Sequence, residues 1–323
     1  MTPPVDDTVA LAAHGLAGSR LDMPRGPLST ERWTHLVEEC RSQELLGYVA
    51  GAVAAGRLAV TDDQADELYV LEAESAGLAL LVEQRLITLA TSLGAAGIDY
   101  RVVDGPARTQ LAFADACLRH FETVDIVVEP GYVRLAAAMK GPGGHFRSTH
   151  RARRRPRIGV RATVLPAVDN EAIVDLADLG DSSATITLGG HRLPALPPEE
   201  QLVCVAVEVV TGAGDRQTAL LRDLAELALS PTIDVGQVRR VAESWHVSDP
   251  VVTAVRTAWQ EFDLADKTAL SVWAQRYNLG AGNRGRQARP DPYRPRRRVA
   301  DSMGRLLGRR SSRPHHIPTA RFR

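Results

Sequence analysis

Two short runs decide the fold: Ile98-Asp99-Tyr100-Arg101-Val102-Val103-Asp104-Gly105 and Arg119-His120-Phe121-Glu122-Thr123-Val124-Asp125-Ile126-Val127-Val128-Glu129. Both are rich in β-branched residues, which favour strands, and roughly one helix's worth of chain separates them. The first ends in Asp-Gly, a turn signal. The second is apolar from Val124 to Val128 except for Asp125. A carboxylate inside such a run is costly to bury unless it is paired or holds a metal. Asp125 therefore reads either as a metal or substrate ligand or as a strand-edge acid paired with Arg101 or Arg119. Asp104 reads either as a turn residue or as a second ligand beside it.

Working outward, the core continues with a helix from about Pro106 to Leu118, with Pro in its first turn. A helix from Tyr132 to Met139 follows the second strand. A third strand is expected over Ile158–Leu165, where Gly159 and Arg161 bring no acid. Thr185 to Leu193, with Gly189-Gly190 at its centre, reads as a hairpin.

On the N-terminal side, residues 1–28 read as a flexible leader with a short helix near Thr8–Ala17. Ser29 or Thr30 caps a helix whose apolar face is Trp33, Leu36, Val37 and Cys40. Leu45–Ala59 is a second helix. Thr61-Asp62-Asp63-Gln64 fits a capping box and opens a long helix to about Leu93, broken at most once. Its stripe is Leu68, Leu71, Ser75, Leu78 and Val82. On the C-terminal side, Pro197-Pro198-Glu199-Glu200, Thr218–Ala228, a unit after Ser230-Pro231, Ser248-Asp249-Pro250 and Lys267–Tyr277 mark successive helices. Trp245, Trp259 and Trp273 fall on apolar faces and read as core. Arg222-Asp223 reads as a buried ion pair. The expected organisation is thus a leader (1–28), an N-terminal helical part (29–97), an α/β core (98–196), a C-terminal helical part (197–280) and an Arg-rich tail (281–323). The class is α+β, a small mixed sheet flanked by two helical parts.

The order of elements resembles the uncharacterised nucleotidyltransferase-like proteins of the DNA polymerase beta superfamily. Their pattern is a strand ending Lys-Gly, a helix, then Arg-x-x-x-Asp-Ile-Asp and aliphatics. Gly105, Arg119, Asp125, Ile126, Val127 and Val128 fall on it, and the likeness extends over roughly residues 30 to 275. Thr123 stands where the first metal-binding Asp belongs, and Asp104 where the Lys belongs. The resemblance implies transfer of a nucleoside monophosphate from a nucleoside triphosphate to an acceptor. It implies Mg²⁺ held by Asp125 with Asp104 as substitute ligand, and a substrate site including Gly105, Arg119 and Thr123. The departures imply the rival: a fold kept for binding or regulation, with catalysis lost. Reversed charge at position 104 repels the triphosphate that a lysine would attract.

The bulk composition narrows the rest. A formal net charge of zero gives the whole molecule no general attraction to nucleic acid or membrane. The arginines are unevenly spread: after Gly280 the only acids are Asp291 and Asp301. Such a tail, poor in apolar periodicity, is expected to be disordered and to offer phosphate contacts to a polyanion. A second cluster, Arg147 to Arg157 with His145 and His150, reads as a solvated loop or a phosphate contact. Cys40, Cys117 and Cys204 are scattered without metal-ligand spacing, as expected for reduced thiols in a cytoplasmic protein. No run approaches the ~18 apolar residues of a membrane span. No Ser-His-Asp, Cys-His or zinc arrangement appears, and Gly212-Ala213-Gly214 is too short for a dinucleotide fingerprint.

Overall fold

A computed structural model describes residues 6–113, 115–140, 156–165, 174–180, 182–212, 216–265 and 267–278. The arginines from Arg147 to Arg155, His145, His150, Ala213, Gly214 and the tail 281–323 lie outside the described residues. Four helices precede the sheet: α1 (Asp7–Ala12), α2 (Thr30–Ser42), α3 (Leu46–Ala54) and α4 (Asp62–Ala95). The core then runs β1 (Tyr100–Val102), α5 (Pro106–Ala112), β2 (Thr123–Val128), α6 (Val133–Met139), β3 (Arg157–Arg161), β4 (Ala184–Leu188) and β5 (His191–Ala195). Helices α7 (Pro198–Thr211), α8 (Gln217–Leu229), α9 (Val235–Ser244), α10 (Ser248–Glu261) and α11 (Ala269–Arg276) complete it.

The helix starts follow local chemistry. The Ser29 hydroxyl accepts from the Arg32 amide at 3.4 Å. At α4, Thr61 Oγ1 accepts from the Gln64 amide at 3.3 Å while Gln64 Oε1 accepts from the Thr61 amide at 3.1 Å. Two orphan donors of the first turn are thereby satisfied. Helix α4 then runs 34 residues without a break. By length and mean hydropathy it would pass for a membrane span, contrary to the sequence reading. Its stripe Leu68, Leu71, Ser75, Leu78, Val82, Leu86, Leu89 and Leu93 is buried against the rest of the chain, while Tyr69, Val70 and Leu80 are exposed. At the start of α10 the sequence suggests a serine cap. Instead Val247 is the cap without a side-chain bond, and Ser248 is already helical.

The five strands order β3-β2-β1-β5-β4, with β1 antiparallel to β2 and parallel to β5, and β2 parallel to β3. The hairpin β4–β5 closes the far edge. Alternation along β2 sends Val124, Ile126 and Val128 into one cluster with Val82, Leu86, Leu89 and Leu93 of α4. Val127 points the other way, into a larger cluster built from α1–α3 and α7–α11. Thr123 and Asp125 share that second face by the same alternation.

Three elements differ from expectation. The helix after β1 ends at Ala112, and a 3₁₀ turn at Ala116–Leu118 replaces its last turn. Asp115 Oδ1 accepts from the Cys117 amide at 2.9 Å, turning the chain so that the Leu118 carbonyl seats against Gly47 of α3, where a side chain would collide. β3 stops at Arg161 because the chain bends off the sheet: the Val164 amide donates to the Val174 carbonyl at 2.7 Å. The leader is anchored in its described part. Leu11 and Ala12 are buried in the larger cluster, and Ser19 bridges to Leu264.

Candidate functional site

The site forms where β1 turns away from β2. The Val103 amide donates to the Asp125 carbonyl at 2.9 Å, continuing the ladder for one more residue. The next position swaps backbone for side chain: the Asp125 amide donates to Asp104 Oδ1 at 2.6 Å. Asp104 thus ends the ladder and brings two carboxylates to one corner. Gly105 follows with φ +58° and ψ −118°, a conformation that L side chains rarely adopt. A Cβ there would lie 2.7 Å from Val124 Cγ2. Glycine is required by the turn, whatever else it does.

Beside this corner lies a cavity of about 20 Å³, lined in part by Glu44, Asp104, Gly105, Arg108, Arg119, Thr123, Arg216 and Asp223. It has room for about one water. Asp125 does not line it. Its walls are paired charges. Arg119 donates from Nε to Asp223 Oδ1 at 2.9 Å and from Nη2 to Asp223 Oδ2 at 3.3 Å. Its Nη1 reaches Glu44 Oε2 at 2.9 Å, the Glu44 carbonyl at 3.2 Å and the His120 carbonyl at 2.6 Å. Every nitrogen of this buried guanidinium is committed within the protein. Arg216 pairs with Glu44 from the cavity side at 2.9 Å. Arg108 donates to Glu208 Oε2 at 2.8 Å and stands 3.5 Å from Asp223.

These surroundings move the acids in opposite directions. Burial pushes the Asp104 carboxyl up to about 7; the Asp125 charge adds to this, while Arg108 and Arg161 oppose it. Burial also pushes Glu44 upward, but Arg119 and Arg216 outweigh it and hold its carboxyl below the usual range. Glu44 sits at φ +59°, a strained position for a non-glycine residue. A carboxylate clamped between two guanidinia offsets such strain.

Asp125 faces the other strand. β2 and β3 run in register with Asp125 beside Gly159 and Val127 beside Arg161. Its partner is Arg161, with Nε 2.9 Å from Asp125 Oδ2, rather than Arg101 or Arg119. Arg101 instead pairs with Asp99 at 2.7 Å. Arg222 and Asp223 do not pair with each other either. Asp223 serves Arg119 and Arg108, whereas Arg222 pairs with Glu226, donates to the Ala12 and His14 carbonyls and stacks 4.3 Å over the Tyr48 ring. Adjacent helical residues point some 100° apart, so each serves a different neighbour.

The corner's donors decide whether it suits a divalent ion. Mg²⁺ takes near-octahedral oxygen ligands, and the two-metal clamp of phosphoryl chemistry needs several carboxylates aimed at one point. Here Thr123 offers a hydroxyl, Gly159 offers nothing, and a guanidinium covers Asp125 Oδ2. Among the described residues no group of three or more His, Cys, Asp or Glu side chains comes together for an ion. The residues present do not fit a two-metal centre.

Of the residues singled out from sequence, Asp104, Gly105, Arg119 and Thr123 line one cavity, and Asp125 lies behind it. Glu44, Arg108, Arg161, Glu208 and Arg216 were missed. Two of them carried a signal: Glu208 interrupts the apolar run Leu202–Val210, and Arg161 interrupts an expected strand. Each, like Asp125, is a charge inside an apolar run and so needs a partner.

No curated protein matches this sequence. Among solved structures, an antigenic nucleotidyltransferase-like protein from Paracoccidioides brasiliensis is 15% identical, covering 58% of this chain and 95% of its own, with a TM-score of 0.33. A likeness that loose carries no argument about the site. The family model described as uncharacterised nucleotidyltransferase matches residues 29–263, most of the chain, including the helices on both sides of the sheet. The chain belongs to that uncharacterised nucleotidyltransferase family.

Proposed function

We propose that this chain is a nucleotidyltransferase-fold module that has given up metal-dependent nucleotide transfer and serves a binding or regulatory role. One observation carries the reading: the single carboxylate retained on β2, Asp125, is spent on Arg161 at 2.9 Å. Thr123 in place of an acid, the committed Arg119 and the water-sized cavity point the same way. Calorimetry with nucleoside triphosphates, with and without Mg²⁺, tests it. No metal-dependent heat is expected at millimolar nucleotide. Metal-dependent binding that Asp125→Ala abolishes, or release of pyrophosphate, overturns it.

A second reading has one observation in its favour. The 2.6 Å bond from the Asp125 amide to Asp104 sets two acids side by side at the Gly105 turn. In that reading Asp104 and Asp125 would be the residues to hold Mg²⁺, which would neutralise phosphate charge, and Gly105, Arg119 and Thr123 would contact the substrate. The acceptor's oxygen would bond to the α-phosphorus as the α-phosphorus bond to the bridging oxygen breaks, that bond's electrons leaving with pyrophosphate and the acceptor's proton passing to solvent. The same titration decides between the two. The tail arginines add a separate expectation: deleting residues 281–323 removes salt-sensitive binding to a polyanion.

A further inference from the structure

Asp125 has gained a partner through two positions of β3, one supplying space and the other charge. The parallel register sets Gly159 directly beside Asp125, and Arg161 two residues on, on the same face. A Cβ at Gly159 would fall inside the Asp125 carboxylate, so that carboxylate lies over bare backbone. Arg161 then turns back to it. Although Nε stands 2.9 Å from Oδ2, neither Nε nor Nη2 makes a hydrogen bond, and both atoms are buried. Charge rather than directional bonding holds the contact. The Asp125 amide donates to Asp104 Oδ1 at 2.6 Å, so a second acid adjoins the one that Arg161 pairs with.

We propose that Arg161 is a resident cation: its guanidinium takes the place of a divalent ion at the Asp104–Asp125 corner, and Gly159 is the gap that admits the arrangement. The inference rests on the reading of a module without metal-dependent transfer. It also makes a separate claim, that the corner still holds a latent cation site masked by one side chain. Removing the guanidinium takes away the cation paired with Asp125, leaving a corner of higher affinity for a divalent ion.

The test uses Mn²⁺ alone, without nucleotide, on the full chain. Calorimetry and electron paramagnetic resonance are run at about pH 8 and again at about pH 9, above the Asp104 carboxyl, which burial pushes up to about 7. Wild type is expected to show no stoichiometric Mn²⁺ site. Arg161→Gln is expected to gain one, about tenfold tighter or more than any wild-type binding. Adding Asp125→Asn to Arg161→Gln should abolish it. The inference is overturned if Arg161→Gln, folded by circular dichroism, is as blind to Mn²⁺ as wild type. It is equally overturned if wild type binds one Mn²⁺ that Asp125→Asn removes. Should Arg161→Gln fail to fold, Arg161→Met keeps the apolar stem, and the wild-type titration still gives a reading by itself. Because no nucleotide is present, failure here leaves the transfer question to the triphosphate titration.

Discussion

The two faces of β2 are built by opposite means. One face, Val124, Ile126 and Val128, is dry and apolar and packs on α4. The other, Thr123, Asp125 and Val127, opens onto a lattice of ion pairs before it reaches the larger apolar cluster. The apolar face is non-directional, so its contribution scales with area and tolerates swaps of similar volume. The polar face ties distant segments together one contact at a time. Arg119 binds Asp223, 104 residues away, and Glu44, 75 residues away; Arg108 binds Glu208, 100 residues away. These bonds set how both helical parts sit on the sheet, a specificity that apolar contact supplies less sharply. On this face the buried acids act as fasteners between segments.

The contrast can be broken most severely at Arg119. Arg119→Ala leaves Glu44 and Asp223 buried without their main partner and should cost about 3–5 kcal/mol in urea unfolding. A loss under about 1 kcal/mol would mean that the polar face fastens little. On the dry face, Ile126→Ala should cost about 3 kcal/mol, because it opens a cavity among fully buried neighbours. Gly105→Ala should cost roughly 1–3 kcal/mol through its positive φ and the Val124 contact, with no change in denaturant m-value.

Asp104 sharpens the comparison through pH. Its folded carboxyl titrates near 7, above the unfolded value of about 3.9. Below that lower value both states carry the proton. Between the two the folded state keeps a proton that the unfolded chain has released. The contribution is therefore fully present in acid and is lost as pH rises toward 7, at most about 1.4 kcal/mol per pH unit. Asp104→Asn keeps an oxygen for the Asp125 amide and should flatten that slope between about pH 4 and 7, measured by urea melts. Glu44 works in the other direction: its lowered carboxyl gives stability that is lost only as pH falls through its folded value. The smallest effect is Arg161→Ala, about 0–1 kcal/mol in stability, since that pair is partly exposed.

The dry face was legible in the sequence. Alternating Val124, Ile126 and Val128, and the Leu68-to-Val82 stripe with its capping box, state period and boundary directly. The corner residues Asp104 and Gly105 were also legible, since Asp-Gly after a strand is a turn. What the sequence did not disclose was pairing. Asp125 could be recognised as needing a partner, but the choice of Arg161 over Arg101 or Arg119 depends on the β2–β3 register. That register joins segments more than thirty residues apart, and nothing local records it. Arg222-Asp223 failed for the related reason that neighbours in sequence diverge on a helix. The 3₁₀ turn at Ala116–Leu118 depends on Gly47, some seventy residues earlier.

Arg222 has a practical consequence at the far end of the chain. Its guanidinium is almost wholly enclosed, and two of its acceptors are the carbonyls of Ala12 and His14. Cutting the first fifteen residues to make a shorter, tidier protein would strip both acceptors from the buried Arg222 of α8. Residues 8–19 are thus a plug for the C-terminal helices, and the family match that begins at residue 29 marks a poor place to start a truncated protein.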